Sequence, residues 1–276
     1  MLGAIYGDIV GSRFELGQGE PEQGFALFHS DCHITDDSLM TLAVAEALVI
    51  TRKDRSEYQD VLIRTMKKIG REYPNVSWGQ TFRRWIDANY YYQGDSYGNG
   101  AAMRIAPVGW VCDTLEETIK LSRLTTEITH NHPEGIKGAE SVAVAIFMAR
   151  TGFSKEDIKQ KMIEYYPELK DMTYLSLILS NYGLDETGQW VTCQGSVPQA
   201  ICCFLDSVSL EDAVRKAVML KADTDTQGCI AGAIAEAYYG FTYDDEDMVM
   251  KYIPEELQSI CSAFRLIKKR KTNLIN

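Results

Sequence analysis

Three short polar segments carry more carboxylates than local structure requires: "GDIVGSRFE" ending at Glu15, "TDDS" from Thr35 to Ser38, and "ADTDT" from Ala222 to Thr226. Each abuts an apolar run with helical spacing. Taken singly, Thr35-Asp36-Asp37 is a helix N-cap followed by acidic first-turn residues, and Asp223-Thr224-Asp225-Thr226 reads the same way. A cap needs one such residue, whereas each of these helix starts presents two carboxylates flanked by threonine hydroxyls. If the two starts meet in space, Asp36, Asp37, Asp223 and Asp225 share one site with Glu15, where like charges strongly resist joint ionisation. A cation resolves that conflict. Carboxylates plus hydroxyls suit hard ions such as Mg²⁺, Mn²⁺ or Ca²⁺ and not zinc. Five carboxylates are too many for one Mg²⁺ that keeps several waters, so two ions about 3.5 to 4 Å apart is the natural number. The positive helix ends oppose these cations, so binding should be moderate and sensitive to chelators.

Histidine adds no zinc set. His29 and His33 lie in the approach to Thr35 and read as loop residues, while His130 and His132 precede a Pro-Glu-Gly stretch, with His130 the one to single out if that stretch belongs to a site. A second feature is "GDSYGNGAAMRIAPVGW", in which Gly98 and Gly100 precede a run that opens a helix. Glycines there let backbone N–H groups approach an anion, although the pattern is neither a P-loop nor a dinucleotide fingerprint and by itself is a turn before a core helix. Tyr97 offers a ring at a ligand edge. Arg104 is the nearest cation, with a partner either at the ligand or inside the fold.

The elements that must position these groups are helical. Apolar positions follow helical spacing in "SLMTLAVAEALVI" from Ser38, "SVAVAIFMAR" from Ser141 and "LEDAVRKAVML" from Leu210, and convincing strand alternation is absent. Residues 139–148 and 229–237 are small and apolar almost all round, which places them at the centre of a helical assembly. Loops are expected at Gly17 to Gly24, Gly94 to Gly100, Asn131 to Gly138, Asn181 to Gly195 and Lys221 to Asp225. The fourth is long enough to belong at the rim of a pocket, and it should end on Ser196 as an N-cap with Pro198 in the following first turn.

Composition bounds the partners. The 276-residue chain carries a net charge of −11, a field that repels nucleic acid and anionic membrane alike. The basic run Lys268 to Lys271 reads as a solvated helix end. Seven cysteines, Cys202 and Cys203 adjacent, form no disulfide framework and no paired zinc spacing. The N-terminal segment lacks a basic region and meets Asp8 before any signal-type apolar core, and no uncharged stretch is long enough to span a bilayer. A soluble cytoplasmic protein is expected, without nucleic-acid or membrane partners.

Taken in order, these segments resemble the ADP-ribosylglycohydrolase family, the group of dinitrogenase reductase activating glycohydrolase and the vertebrate ADP-ribosylarginine and ADP-ribosylserine hydrolases. The resemblance runs nearly the whole chain, through "GAIYGDIVGSRFE", "TDDSLMTLAVAEAL", "YGNGAAMRIAPVG", "THNHPEGIKGAESVAVAIF", "SVPQAI" and "ADTDTQGCIAGAIAEAYYG". It implies an all-α fold, a single compact orthogonal helical bundle over residues 1–276 with its cleft on one face. By resemblance, Thr35, Asp36 and Asp37 form the first metal block, Asp223, Asp225 and Thr226 the second, and Glu15 is the acidic residue of a mobile loop near the metals. The turn of Tyr97, Gly98, Asn99, Gly100 and Met103 would contact ribose and diphosphate, with His130 nearby. Two positions depart from the family pattern: Lys221-Ala222 stand where glycines are common, and Glu236 stands where a small residue is usual.

The implied reaction is hydrolysis of the glycosidic bond between ADP-ribose and a modified acceptor. Two divalent cations, Mg²⁺ ahead of Mn²⁺, would seat the distal ribose and polarise water. Asp36, Asp37 or Asp225 would take the proton from that water, and Glu15 would orient it or assist the leaving group. An acidic rim favours an arginine acceptor over serine. Kept beside this are a small ADP-ribose conjugate as substrate, an inactive ADP-ribose-binding module, and a nucleotide phosphohydrolase.

Overall fold

Glycine recurs at every fourth position of the first apolar run, at Gly3, Gly7 and Gly11, and places three bare backbone patches on one helical face. The computed structural model describes residues 1–15, 19–180, 182–184 and 188–268. In chain order its helices begin with α1 (Leu2–Ser12), α2 (Asp36–Ile50), α3 (Tyr58–Glu72), α4 (Gln80–Asp87) and α5 (Gly100–Met103). They continue with α6 (Ala106–Val111), α7 (Leu115–Thr126), α8 (Pro133–Thr151), α9 (Lys155–Tyr165) and α10 (Tyr174–Leu179). The last are α11 (Cys193–Leu205), α12 (Leu210–Val218), α13 (Thr224–Tyr239), α14 (Tyr243–Met250) and α15 (Glu255–Ile267). Among the described residues no strand forms, only isolated bridges of Asp95 with His130 and Gly98 with Thr192. The all-α expectation is met.

The glycine face of α1 packs on α13, the most extensive helix pair of the molecule. Gly3 lies against Gly232, Gly7 against Gly228 and Gly11 against Thr224, so the two helices run antiparallel with their backbones in contact. At Gly7 a Cβ would stand 1.9 Å from the Gly228 carbonyl oxygen, which no side-chain adjustment relieves. As the patterning indicated, α13 and α8 are buried on nearly every face. Their surroundings belong to one continuous apolar cluster that reaches from α1 to α15.

Three boundaries differ from the sequence expectation. The stretch Asn131 to Gly138 is mostly helix, because Pro133 occupies the first position of α8, where its missing N–H costs nothing, and the His132 side chain caps the Glu134 amide at 3.2 Å. α11 starts at Cys193 with Thr192 as its cap, while Ser196 lies inside the helix and returns its hydroxyl to the Thr192 carbonyl at 2.7 Å. Pro198 is therefore interior, not first-turn. α13 begins at Thr224, within the expected Lys221 to Asp225 loop. Of the other expected loops, residues 17, 18, 181 and 185–187 lie outside the described residues.

Both family departures now have an account. Glu236 is buried and accepts bonds from the Gly3 amide (2.8 Å), the Lys268 ammonium (2.6 Å) and the Met1 amine. Burial alone would raise its pKa, but Lys268 and the Met1 amine hold it down to about 2. Lys268 is thus no part of a solvated helix end: it pairs with Glu236 and lies 3.6 Å over the Trp110 ring, while residues 269–271 lie outside the described residues. Lys221 takes φ +59°, the left-handed conformation that a glycine adopts without strain, and it follows the end of α12.

Two stability measurements check this packing. Gly7→Ala should cost about 3 kcal/mol or more in urea unfolding, because both helix backbones must separate to admit the methyl group. Lys221→Gly should raise stability by up to about 1 kcal/mol through relief of the left-handed strain, less whatever the exposed Lys221–Glu20 pair contributes.

Candidate active site

α1 fixes three parts of the site at once. Its glycine contact sets the start of α13 beside Gly11, whose carbonyl accepts the Thr224 hydroxyl at 2.9 Å. One turn back, the Asp8 carboxylate is fully buried and accepts the Thr35 amide (3.0 Å), the Thr35 hydroxyl (2.7 Å), the Ser38 amide (3.1 Å) and the Ser38 hydroxyl. It therefore caps α2 from another helix, while Thr35 itself caps the Asp37 amide at 3.2 Å. Just past the C-terminal end of α1 stands Glu15, on the wall of the same cleft.

The two acidic helix starts meet. The Thr226 hydroxyl lies 3.3 Å from Asp37 Oδ2 across a separation of 189 positions, and the Thr35 hydroxyl approaches the same oxygen at 3.5 Å. Asp36, Asp37, Asp223, Asp225, Thr226 and Glu15 all line one cleft of about 410 Å³. Its remaining walls include the aromatic side chains of Phe82, Trp85, Tyr92 and Trp190, together with Asn99, Met103, Arg104 and His130. Phe82 stacks on Trp85 with ring centroids 5.6 Å apart. Trp190 and Val191 bring the long connection before α11 to the rim, as its length suggested.

Charge crowding shows in the protonation of the cluster. Burial and then the Asp225 charge raise Asp8 to about 7, and the same causes with Asp8 added raise Glu15 to about 8. Asp36, Asp37 and Asp223 are pushed well above the ordinary carboxylate range, again by burial first and Asp225 second. Asp37 Oδ1 is buried without any hydrogen-bond partner, the mark of an acceptor that expects a cation. Among the described residues no three His, Cys, Asp or Glu side chains stand in ready-made ligand geometry. The fit to a hard cation therefore rests on the oxygen-only donors and on that unpartnered oxygen.

The glycine turn is tied down on both sides. The Asn99 amide donates to the Val191 carbonyl (2.9 Å), the Cys193 amide to the Tyr97 carbonyl (2.9 Å), and the Asn99 side chain to Asp223 Oδ2 (2.6 Å). The Gly98 amide goes to the Ser96 hydroxyl at 3.1 Å, so two of the N–H groups expected to cradle an anion are already engaged within the protein. Gly98, Asn99, Gly100 and Met103 line the acidic cleft, and His130 stands with them, 6% exposed. Tyr97 does not: it packs on His132 at 5.1 Å and faces an adjoining groove that shares Ser96, Gly98 and Val191 with the cleft.

The patterning missed Asp8, the aromatic walls and Thr129. Asp8 had a signal, a lone carboxylate in the middle of an apolar helical run, which burial obliges to find donors. Arg104 proves to be buried and donates to the Thr129 hydroxyl at 2.5 Å, an internal role.

Fold and cleft together define an all-helical protein whose acidic centre lies between two helix starts. The family model for ADP-ribosylglycohydrolase matches residues 1–273, and the chain belongs to that family. Among its relatives, mouse ADP-ribosylhydrolase ARH3 is 25% identical over 96% of this chain and 86% of its own length. The ADP-ribosylarginine hydrolase Tri1 of Pseudomonas putida is 24% identical over 87% of this chain and 69% of its own. A solved structure described as an ADP-ribosylglycohydrolase-related protein complex superposes with a TM-score of 0.68 at 22% identity, covering 97% of this chain and 96% of that one, which shows the shared fold.

The raised carboxyls give a pH signature. From about pH 4.5 upward the unfolded chain has lost most of the protons that Asp8 and Glu15 keep when folded until about 7 and about 8, so over that range the folded state binds more protons and stability falls as pH rises. In chelator, the melting temperature should drop across that window, less steeply in Asp37→Asn. Added Mg²⁺ or Mn²⁺ should raise it, by more at the upper end where cations compete with fewer protons.

Proposed function

We propose that this hydrolase cleaves the glycosidic bond joining ADP-ribose to a modified acceptor and releases free ADP-ribose. The observation that carries the reading is the meeting of the Thr35 and Asp223 helix starts in one cleft with the glycine turn and His130. The whole chain, residues 1–276, would act as one domain, in keeping with the continuous core and the span of the family match.

Asp36, Asp37, Asp223 and Asp225, with the Thr35 and Thr226 hydroxyls, would hold two divalent cations, Mg²⁺ first and Mn²⁺ as the alternative. Bound there, the ions would lower the pKa of water and polarise ligand oxygens. The chain's own residues do the rest. Asn99 and His130 orient the ligand at the turn, and Phe82, Trp85 and Trp190 keep bulk water from the reacting bond. Glu15, on the wall of the same cleft, would orient the attacking water or assist departure of the acceptor as the sugar gains oxocarbenium character. Among acceptors, arginine is favoured over serine. The acidic cleft attracts a guanidinium, and the Pseudomonas relative is named for that linkage.

A panel of arginine-, serine- and O-acetyl-linked ADP-ribose substrates tests the assignment. Free ADP-ribose should appear, most rapidly from arginine, and chelator should stop its release. Asp37→Ala and Asp225→Ala should each lower turnover at least about 100-fold with helical content unchanged. Full activity in both variants would refute the site. Release of a nucleoside monophosphate in place of ADP-ribose would reassign the enzyme to phosphohydrolysis, and binding without turnover would make it an ADP-ribose-binding module.

A further inference from the structure

The face of His130 turned away from the cleft decides what its other face can offer. Arg104, which closes α5, is 1% exposed and donates to the Thr129 hydroxyl at 2.5 Å. A guanidinium has donors only, so the Thr129 oxygen must be the acceptor in that contact, and its own proton is free for another partner. That partner is His130 Nδ1 at 2.7 Å, with Arg104 Nη2 a further donor at 3.3 Å. Nδ1 is thereby an acceptor twice over and carries no proton. Burial and then the Arg104 charge hold the imidazole well below its ordinary pKa of 6.5, so the ring is neutral and its single proton sits on Nε2.

Nε2 occupies the space that the glycines leave open: a Cβ on Gly100 would lie 3.3 Å from it and one on Gly98 3.8 Å. Main-chain bonds hold the ring in place, from the His130 amide to the Thr126 carbonyl (2.9 Å) and from the Asn131 amide to the Gly94 carbonyl (3.0 Å). The Gly98 and Asn99 amides are spent on Ser96 and Val191, which leaves the ring N–H as a donor facing the turn.

We propose that Arg104 and Thr129 are positioning residues that lock His130 in its Nε2–H tautomer, so that the cleft offers an uncharged, oriented donor to an oxygen of the ligand seated at the Gly98–Gly100 turn. The ligand half of this rests on the ADP-ribose reading of the cleft; the tautomer half does not.

Protein labelled with ¹⁵N in the imidazole rings reports the tautomer directly, the His130 signals being identified by their loss in His130→Gln. Wild-type protein should show a protonated Nε2 and a bare Nδ1, unchanged from about pH 6 to about 8. Arg104→Met and the isosteric Thr129→Val should each move population towards the other tautomer and weaken ADP-ribose binding, read by calorimetry, about tenfold. Should Arg104→Met fail to fold, Thr129→Val carries both readouts. A wild-type ring protonated on Nδ1 overturns the proposal, and so does a variant that loses the tautomer while keeping full ADP-ribose affinity. Wild-type protein with the expected tautomer that does not bind ADP-ribose overturns instead the reading of the cleft, and the ligand half with it.

Discussion

Backbone contact between α1 and α13 is the constraint from which the rest of the molecule follows. With glycine at every crossing point, the two helices approach until carbonyl oxygen meets Cα, closer than any side chain would allow. That closeness fixes register as well as distance, because Gly3, Gly7 and Gly11 each have one partner. A register fixed in this way places the end of α1 against the start of α13, and Asp8 against the start of α2. The acidic centre is thus assembled by one helix pair and one buried carboxylate, with the distant parts of the fold serving to enclose it.

Such a centre is expensive in isolation. Several buried carboxyls cannot all be ionised, and the cluster holds protons that ordinary aspartates would release. The folded state tolerates this because the remainder of the core is apolar and continuous. Glu236 illustrates the contrast: it is as deeply buried as Asp37, yet the Lys268 ammonium and the Met1 amino group beside it draw its pKa down. One carboxylate has its countercharge within the chain, while the others share a cleft in which Asp37 Oδ1 has no partner.

Much of this was legible in the sequence. The surplus of carboxylates at Thr35–Asp37 and Asp223–Thr226 pointed to a shared site, and the small-residue runs in α8 and α13 pointed to the centre of the fold. Proline and glycine misled where their position inside an element mattered: Pro133 opens a helix where a loop was expected, and Pro198 is carried inside one. The cap of α2 was half visible, since Thr35 announced itself while Asp8 acts from a helix whose packing only three dimensions reveal. The donors of the glycine turn were misjudged for a similar reason, as the partners that occupy the Gly98 and Asn99 amides include Val191, some ninety positions away.

The bond from the Asn99 side chain to Asp223 joins two regions that would otherwise be independent. An oxygen shared between the turn and the acidic block cannot move for one without moving for the other. By thermodynamic reciprocity, whatever factor ions at the acidic block would contribute to ligand affinity at the turn, an occupied turn would return to ion affinity. Were the proposed ions and ligand to bind there, their equilibria would not be separate, and an ion affinity measured on the free protein would not be the one that governs the complex.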